Sequence, residues 1–491
     1  MTTKKAASPR ANKTTKDAEV VTKSTKTQKS TTTKQASSAV AEKAKKAKST
    51  APKAAPKTDR QTVTRQIGLS LGADICWPIC YEHILRDMDL CVDWQGQDVR
   101  VEVERVTIEP FNLAQPCKYD VVLDRLTHWY MPNREWVKKA VIMDDLYVLN
   151  NPWSIQSMEK HTTYAAMMHL GMPIPETWMV PPKTYDPHPD LRPTLKRYAK
   201  LFDLGALGAK MGYPLFMKPY DGGGWRGVSF VGNEKDLRQR YEESGKQAMH
   251  LQKAVDPFDS FVRCIGLGPQ THMVRYDADA PLHDRYTMDT DFVSDEEASI
   301  LRDTTLTINA YFGWDFNSCE AMRSNGVWHP IDFANACPDS QVTSLHYHFP
   351  WLVLANLRWS IFCAVTKRKM RRTLDWEPFY AIAAQRDMPY RERLRAYAQI
   401  AEQRFDLERF EEFCATKLGH IEEANWEFFA TPVARDAMRQ KVVALYPEHE
   451  VEQFTELFWN RVQAWRADNV PGAPKVSAQK VSAKKTVKGA K

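Results

Sequence analysis

Residues 213–231 read Tyr-Pro-Leu-Phe-Met-Lys-Pro-Tyr-Asp-Gly-Gly-Gly-Trp-Arg-Gly-Val-Ser-Phe-Val. Leu215–Met217 and Val228–Val231 read as strands on either side of a glycine-rich loop. Three successive glycines, Gly222, Gly223 and Gly224, permit backbone angles closed to other residues and a close approach of amides to a ligand. Amides so arranged cradle phosphate oxygens. Lys218 leaves the first strand just before the loop, where a cation offsets polyphosphate charge. No Gly-Lys-Ser/Thr follows the glycines, which excludes a Walker loop, and no helix signal follows at once, which excludes the dinucleotide fingerprint.

Downstream, residues 315–335 offer hard oxygen ligands across a hairpin: Glu320, then Asn325-Gly326 as the turn, then Asp332 and Asn335. Parity decides whether the two acids meet. A two-residue loop pairs Glu320 with Ile331 and sends Asp332 to the opposite face. A three-residue loop, Ser324-Asn325-Gly326, pairs Glu320 with Pro330 and puts both acids on one face. A shared metal therefore needs the odd-length loop or an equivalent bulge. Asp332 and Asn335 are three apart, so the chain must bulge or leave the strand near Phe333 for both to face one ion.

These two segments, with others in order between Tyr119 and Pro350, resemble the ATP-grasp superfamily of ATP-dependent carboxylate–amine ligases. Residues 150–180, NNPWSIQSMEKHTTYAAMMHLGMPIPETWMV, resemble the helix that carries an ATP-contacting lysine and the turn into the next strand, which implies Lys160 on the nucleotide. The 213–231 segment resembles the second-lysine strand and its flexible loop, which implies Lys218 and Gly222 to Gly224 on the phosphates. His250–Val255 resembles the hinge at the adenine, implying Gln252, Lys253, Ala254 and Val255 around the base; Lys253 stands where the family more often has glutamate. Arg263 and Arg285 resemble the arginines that face phosphate or the acyl intermediate. The resemblance implies an α+β ATP-grasp domain with ATP and Mg²⁺ (Mn²⁺ as alternative) on Glu320, Asp332 and Asn335. The implied reaction joins a small-molecule or peptide carboxylate to an amine through an acyl phosphate.

Outward from this centre the composition changes. The 491 residues carry a formal charge of +7, but residues 1–65 hold 17 Lys and Arg against 4 acids, and residues 470–491 hold 6 Lys and no acid. The body between is acidic, and all fifteen tryptophans lie in it. The tails lack the apolar mass to offset ordering entropy and read as disordered. As rows of mobile cations they suit a polyanion, including nucleic acid, bound without sequence preference. Layout is expected as a tail to 65, an α/β domain at 66–150, an ATP-grasp domain at 151–350, a helical region at 351–469 and a tail at 470–491. In the helical region Leu394, Tyr397, Ala398, Ala401 and Phe405 form one apolar face, as do Phe454, Leu457, Phe458, Val462 and Trp465; Thr431-Pro432 marks a helix start.

Nine scattered cysteines point to reduced thiols and a cytoplasmic setting, nucleoid association being the alternative. No apolar run approaches the roughly 20 residues of a membrane span, and no hydrophobic stretch follows the basic start as a secretory signal requires. Cys76, Cys80 and His83 lack a fourth zinc ligand. Two other functions stay open from sequence: a nucleotide-binding, nucleic-acid-associated protein, and an ATP-grasp small-molecule phosphotransferase.

Overall fold

The computed structural model describes residues 60–107, 110–154, 159–198, 202–221, 226–335 and 337–473. Gly222 to Gly224 and most of both tails lie outside the described residues. The architecture is mixed α/β followed by a helical region, as the sequence pattern requires.

A five-stranded sheet comes first, ordered β2-β3-β1-β4-β5. Its strands are β1 (Thr62–Ser70), β2 (Cys91–Trp94), β3 (Gln97–Arg105), β4 (Val121–Asp124) and β5 (Tyr147–Leu149). β1 pairs in parallel with β3 and β4, and β4 with β5, while β2 is an antiparallel edge. Helices α1 (Cys76–Asp87) and α2 (Met131–Asp144) connect them. Residues Thr62–Arg65, assigned to the tail by charge, belong to β1; the alternating Thr-Val-Thr is strand-prone and pairs with β3.

After α3 (Lys160–His169) comes a small lobe: β6 (Thr177–Val180), α4 (Leu191–Tyr198), α5 (Leu204–Met211), β7 (Leu215–Pro219), β8 (Ser229–Val231), α6 (Glu234–Ser244) and β9 (Met249–Lys253). Its antiparallel sheet runs β6-β9-β7-β8. Leu215, Met217, Val231, Met249 and Leu251 alternate onto one face and form a core of their own with Leu204, Met211 and Leu237. Period-two alternation therefore turns Lys218, His250 and Gln252 to the other face.

The third sheet is antiparallel, ordered β11-β10-β12-β13. It contains β10 (Ser260–Leu267), β11 (Gln270–Arg275), β12 (Phe316–Ser324) and β13 (Val327–Asp332), with α7 (Asp295–Phe312) across one face. Val262, Ala321 and Trp328 pack with Leu301 of α7, so Arg263, Glu320 and Asp332 lie on the side away from it.

The helical region comprises α8 (Val342–Leu345), α9 (Phe349–Val365), α10 (Glu377–Ala383), α11 (Tyr390–Phe405), α12 (Leu407–Lys417), α13 (Ile421–Phe428), α14 (Pro432–Val443) and α15 (Val451–Asn469). α11 buries the five apolar residues read from its periodicity, and Thr431 caps α14 by accepting the Ala434 amide. α9 is buried on nearly every side and packs against β1, β3, β4 and β10, so it belongs to the body's main core. No helix among the described residues is long and apolar enough to cross a membrane.

A pair of histidines, His348 buried and His272 half-buried, fastens β11 to the turn before α9. His272 Nε2 lies 2.8 Å from His348 Nδ1, the His272 ring stacks on Trp351, and His348 Nε2 reaches the Thr287 carbonyl. Burial pushes the rings down, His272 to about 3 and His348 to about 4. Unfolded, both titrate near 6.5. The unfolded chain therefore binds more protons below that value, and stability is complete above about pH 6.5 and lost as pH falls toward 4. Each neutral ring contributes a slope of about 1.4 kcal/mol per pH unit in that window. We expect His272→Gln to flatten the fall in urea-denaturation stability between pH 6.5 and 5; an unaltered slope contradicts the assignment.

Candidate functional site

Four side chains far apart in sequence meet where the small lobe faces the third sheet. Lys160 opens α3, and its backbone amide bonds the Tyr220 carbonyl just beyond β7, which fixes the helix start against the second-lysine strand. Its Nζ contacts both carboxylate oxygens of Asp332 at 2.9 Å. Lys218 Nζ donates to Gln252 Oε1 at 2.8 Å and approaches the Ile331 carbonyl at 3.4 Å. Both lysines are more than nine-tenths buried. Burial lowers the Lys218 ammonium pKa, while Asp332 and Glu320 support its charge. Burial alone raises the Asp332 carboxyl, but Lys160 and Lys218 outweigh it and hold the group below the usual carboxylate range.

Hairpin register decides the acid pair. Ser324 faces Val327 across Asn325-Gly326, both at positive φ, so the turn has two residues rather than three. Alone, that would separate the acids. A bulge between Glu320 and Ala321 restores the parity: Ala321 pairs with Pro330, Glu320 with Asp332, and Ile331 is the extra residue. Tyr164 Oη donates to the freed Ile331 carbonyl at 2.7 Å. Glu320 also faces Arg263 on β10 and forms an ion pair with it.

The strand ends at Asp332; Phe333 and Ala334 turn into the core. Asn335 then donates through Nδ2 to Ser318 Oγ at 2.9 Å, and its amide bonds Asn317 Oδ1. Ser318 stands two residues before Glu320 on the same face, so leaving the strand is what brings Asn335 beside the acids.

Other expected residues are placed differently. Gln252 bridges Lys218 and Thr177, with its Nε2 donating to Thr177 Oγ1 at 2.9 Å. Lys253 turns away to the Gly212 and Tyr213 carbonyls, and the Lys253 and Ala254 amides bond the Glu176 and Pro214 carbonyls. Ala254 is buried and Val255 half-buried. Arg285 is held by the Ala280 carbonyl and Tyr276 Oη, both at 3.2 Å, so it serves its own loop rather than the acid pair. Its neighbour Tyr286 is the residue on the site, its ring 5.3 Å from the Arg263 guanidinium.

His250 is a residue the sequence reading passed over. It pairs with Lys218 in register, is fully buried, and stacks near His161 and Tyr164, with neither ring nitrogen partnered among the described residues. Its position two before Gln252 on a strand was the available signal. Burial, with His161, Lys160 and Lys218 adding to it, pushes its ring down to about 4, so it is neutral at pH 7.

No family model matches the chain, and no curated protein matches it. Solved structures do. A RimK domain ATP-grasp protein from Sphaerobacter thermophilus is similar at 14% identity, over 60% of this chain and 98% of that one, with a TM-score of 0.40. D-alanine–D-alanine ligase from Bacillus anthracis complexed with ATP is similar at 13%, over 62% and 97%, with a TM-score of 0.42. VanG D-Ala:D-Ser ligase from Enterococcus faecalis is similar at 12%, over 69% and 100%, with a TM-score of 0.38.

Proposed function

We propose that the protein is an ATP- and Mg²⁺-dependent ligase joining a carboxylate to an amine. The observation that carries this reading is the convergence of Lys160, Lys218, Glu320 and Asp332 on one spot. Two buried ammonium groups suit a triphosphate, and two opposed carboxylates suit the cation that accompanies it.

The donor set fits magnesium. Glu320, Asp332 and the Asn335 amide oxygen are hard oxygen ligands on one face, and Mg²⁺ usually takes one or two carboxylates with substrate phosphates completing its shell. Bound there, the ion would neutralise charge on the transferred phosphoryl group. Among the described residues no group of three or more His, Cys, Asp or Glu forms an alternative metal cluster.

The chain's own residues would then do positioning and electrostatic work. Lys160 and Lys218 would exchange Asp332 and Gln252 for phosphate oxygens, and the Gly222 to Gly224 amides would close over them. Gln252, Ala254 and Val255 would border the base, the Lys253 side chain staying outside. Arg263 would release Glu320 and turn to the phosphate or the acyl intermediate, with Tyr286 holding its plane. A carboxylate oxygen attacks the γ-phosphorus and ADP leaves; the amine then attacks the acyl carbon and phosphate leaves.

Product analysis tests this. Purified protein with Mg–ATP and pooled carboxylates and amines is expected to release ADP and phosphate in step with amide. AMP with pyrophosphate contradicts the scheme, and a stable phosphorylated acceptor identifies a phosphotransferase instead.

A further inference from the structure

The connection from α9 to α10 contains Lys367-Arg368-Lys369-Met370-Arg371-Arg372, five basic residues in six, inside a body that is acidic overall. This loop is fastened from outside. Asn151 Nδ2 donates to the Arg371 carbonyl at 2.8 Å, and Arg372 Nη2 donates to Asp145 at 2.8 Å. The loop walls an open pocket of about 520 Å³, closed on its other sides by the end of α11, the start of α12 and the residues ahead of β12. That volume falls in the range of about 300–1,000 Å³ usual for small-molecule sites. None of Lys160, Lys218, Glu320 and Asp332 lines it.

Six cations line the pocket: Lys367, Arg368, Lys369, Arg371, Arg404 and Arg409. Its acids among the described residues are Asp315 and Asp406. Asp406 is shared between Arg368 at 3.2 Å and Arg409 at 3.5 Å. Asp315 is buried and accepts from Trp359 Nε1, and burial raises its carboxyl pKa. The Arg404 side chain is 7% exposed and is met mainly by neutral groups. Its Nη1 donates to the Ala310 and Leu374 carbonyls and its Nη2 to the Asp375 carbonyl, while the Asp375 carboxylate stays 3.5 Å away. Burial, with Arg371 adding to it, pushes that guanidinium down to about 10, so it is still charged at pH 7. Lys367 and Lys369 are exposed, and their ammonium groups make no hydrogen bond or ion pair among the described residues.

An excess of like charge around partly buried arginines is unfavourable, and a multivalent anion relieves it. Guanidinium forks and ammonium groups both suit phosphate oxygens. The two aromatic residues on the lining, Tyr147 and Phe405, are buried, and Arg368 covers the Tyr147 ring at 5.8 Å. Neither ring is open to stack a base, so the pocket reads charge and not a nucleobase. We propose that this pocket is a second anion site, which takes a short inorganic polyphosphate through Lys367, Lys369 and Arg371, with Arg368 and Arg404 as fixed charge behind them. The inference goes beyond the ligase reading and does not depend on it.

Calorimetric titration of the full-length chain with sodium tripolyphosphate tests this. Wild type is expected to bind saturably, and the double variant Lys367→Gln, Lys369→Gln to bind at least tenfold more weakly. Arg371→Gln keeps both lysines and is expected to weaken binding at least threefold; it decides the matter should the double variant fail to fold. Lys218→Ala is expected to bind tripolyphosphate as wild type does. No saturable binding to wild type overturns the proposal, as does equal affinity in the folded double variant, which would assign the anion to the basic tails. A loss in Lys218→Ala as large as in the double variant overturns it by placing the anion at the nucleotide site. Equal affinity for citrate and tripolyphosphate overturns it by removing the preference for phosphate.

Discussion

Asp332→Asn is expected to reduce Mg²⁺-dependent ADP release by about a hundredfold to a thousandfold, the range for removing one preorganised electrostatic group from a reaction site. The substitution keeps the shape of the side chain and removes its charge. Asp332 is the hub of the cluster: both its oxygens are bonded to Lys160, and Lys218 and Arg263 act on it electrostatically. The variant therefore also leaves a buried ammonium facing a neutral amide. Breaking a fully buried pair costs about 3–5 kcal/mol. The Asp332 side chain is 31% exposed, so solvent screening reduces this, and we expect about 1–3 kcal/mol of lost stability. Lys160→Met on the same background should recover part of that stability, because no unpaired charge remains, without recovering turnover. The measurements are urea denaturation of the single and double variants and ADP release at saturating Mg–ATP. Unchanged ADP release by folded Asp332→Asn would remove the carboxylate from the reaction.

The elements were legible where one period dominates. The helical faces of α11 and the cap at Thr431 follow from local spacing and capping chemistry, and the structure buries the expected side chains. The hairpin was half legible. Asn325-Gly326 announces its turn, but the bulge at Ile331 has no signature of its own, because what stabilises it is distant: Tyr164, from α3, takes the carbonyl the bulge frees. Arg285 was placed by its order in a series of family-like segments, and order does not say which way a side chain points after a short 3₁₀ turn; the adjacent Tyr286 faces Arg263 instead. Lys253 likewise follows strand parity, which sends it away from Gln252 to the Gly212 carbonyl.

Lys218→Ala carries the second large expectation, and it bears on whether one triphosphate site exists at all. Lys218 sits on the face of β7 away from the small lobe's core, and its Nζ reaches both Gln252 on β9 and the Ile331 carbonyl on β13. A bound triphosphate lying between those two partners would take its charge directly. Hydrogen bonds to charged groups contribute about 1.5–3 kcal/mol, which is roughly a tenfold to 150-fold change in Kd. Lys218→Met keeps most of the buried stem and is the control for lost packing. The deciding measurement is an equilibrium titration of the full-length chain with a non-hydrolysable ATP analogue and Mg²⁺. Saturable binding to wild type, weakened at least tenfold in both Lys218→Ala and Lys218→Met, is the predicted result. Equal affinity in folded wild type and variants, or no binding to wild type, would contradict the account.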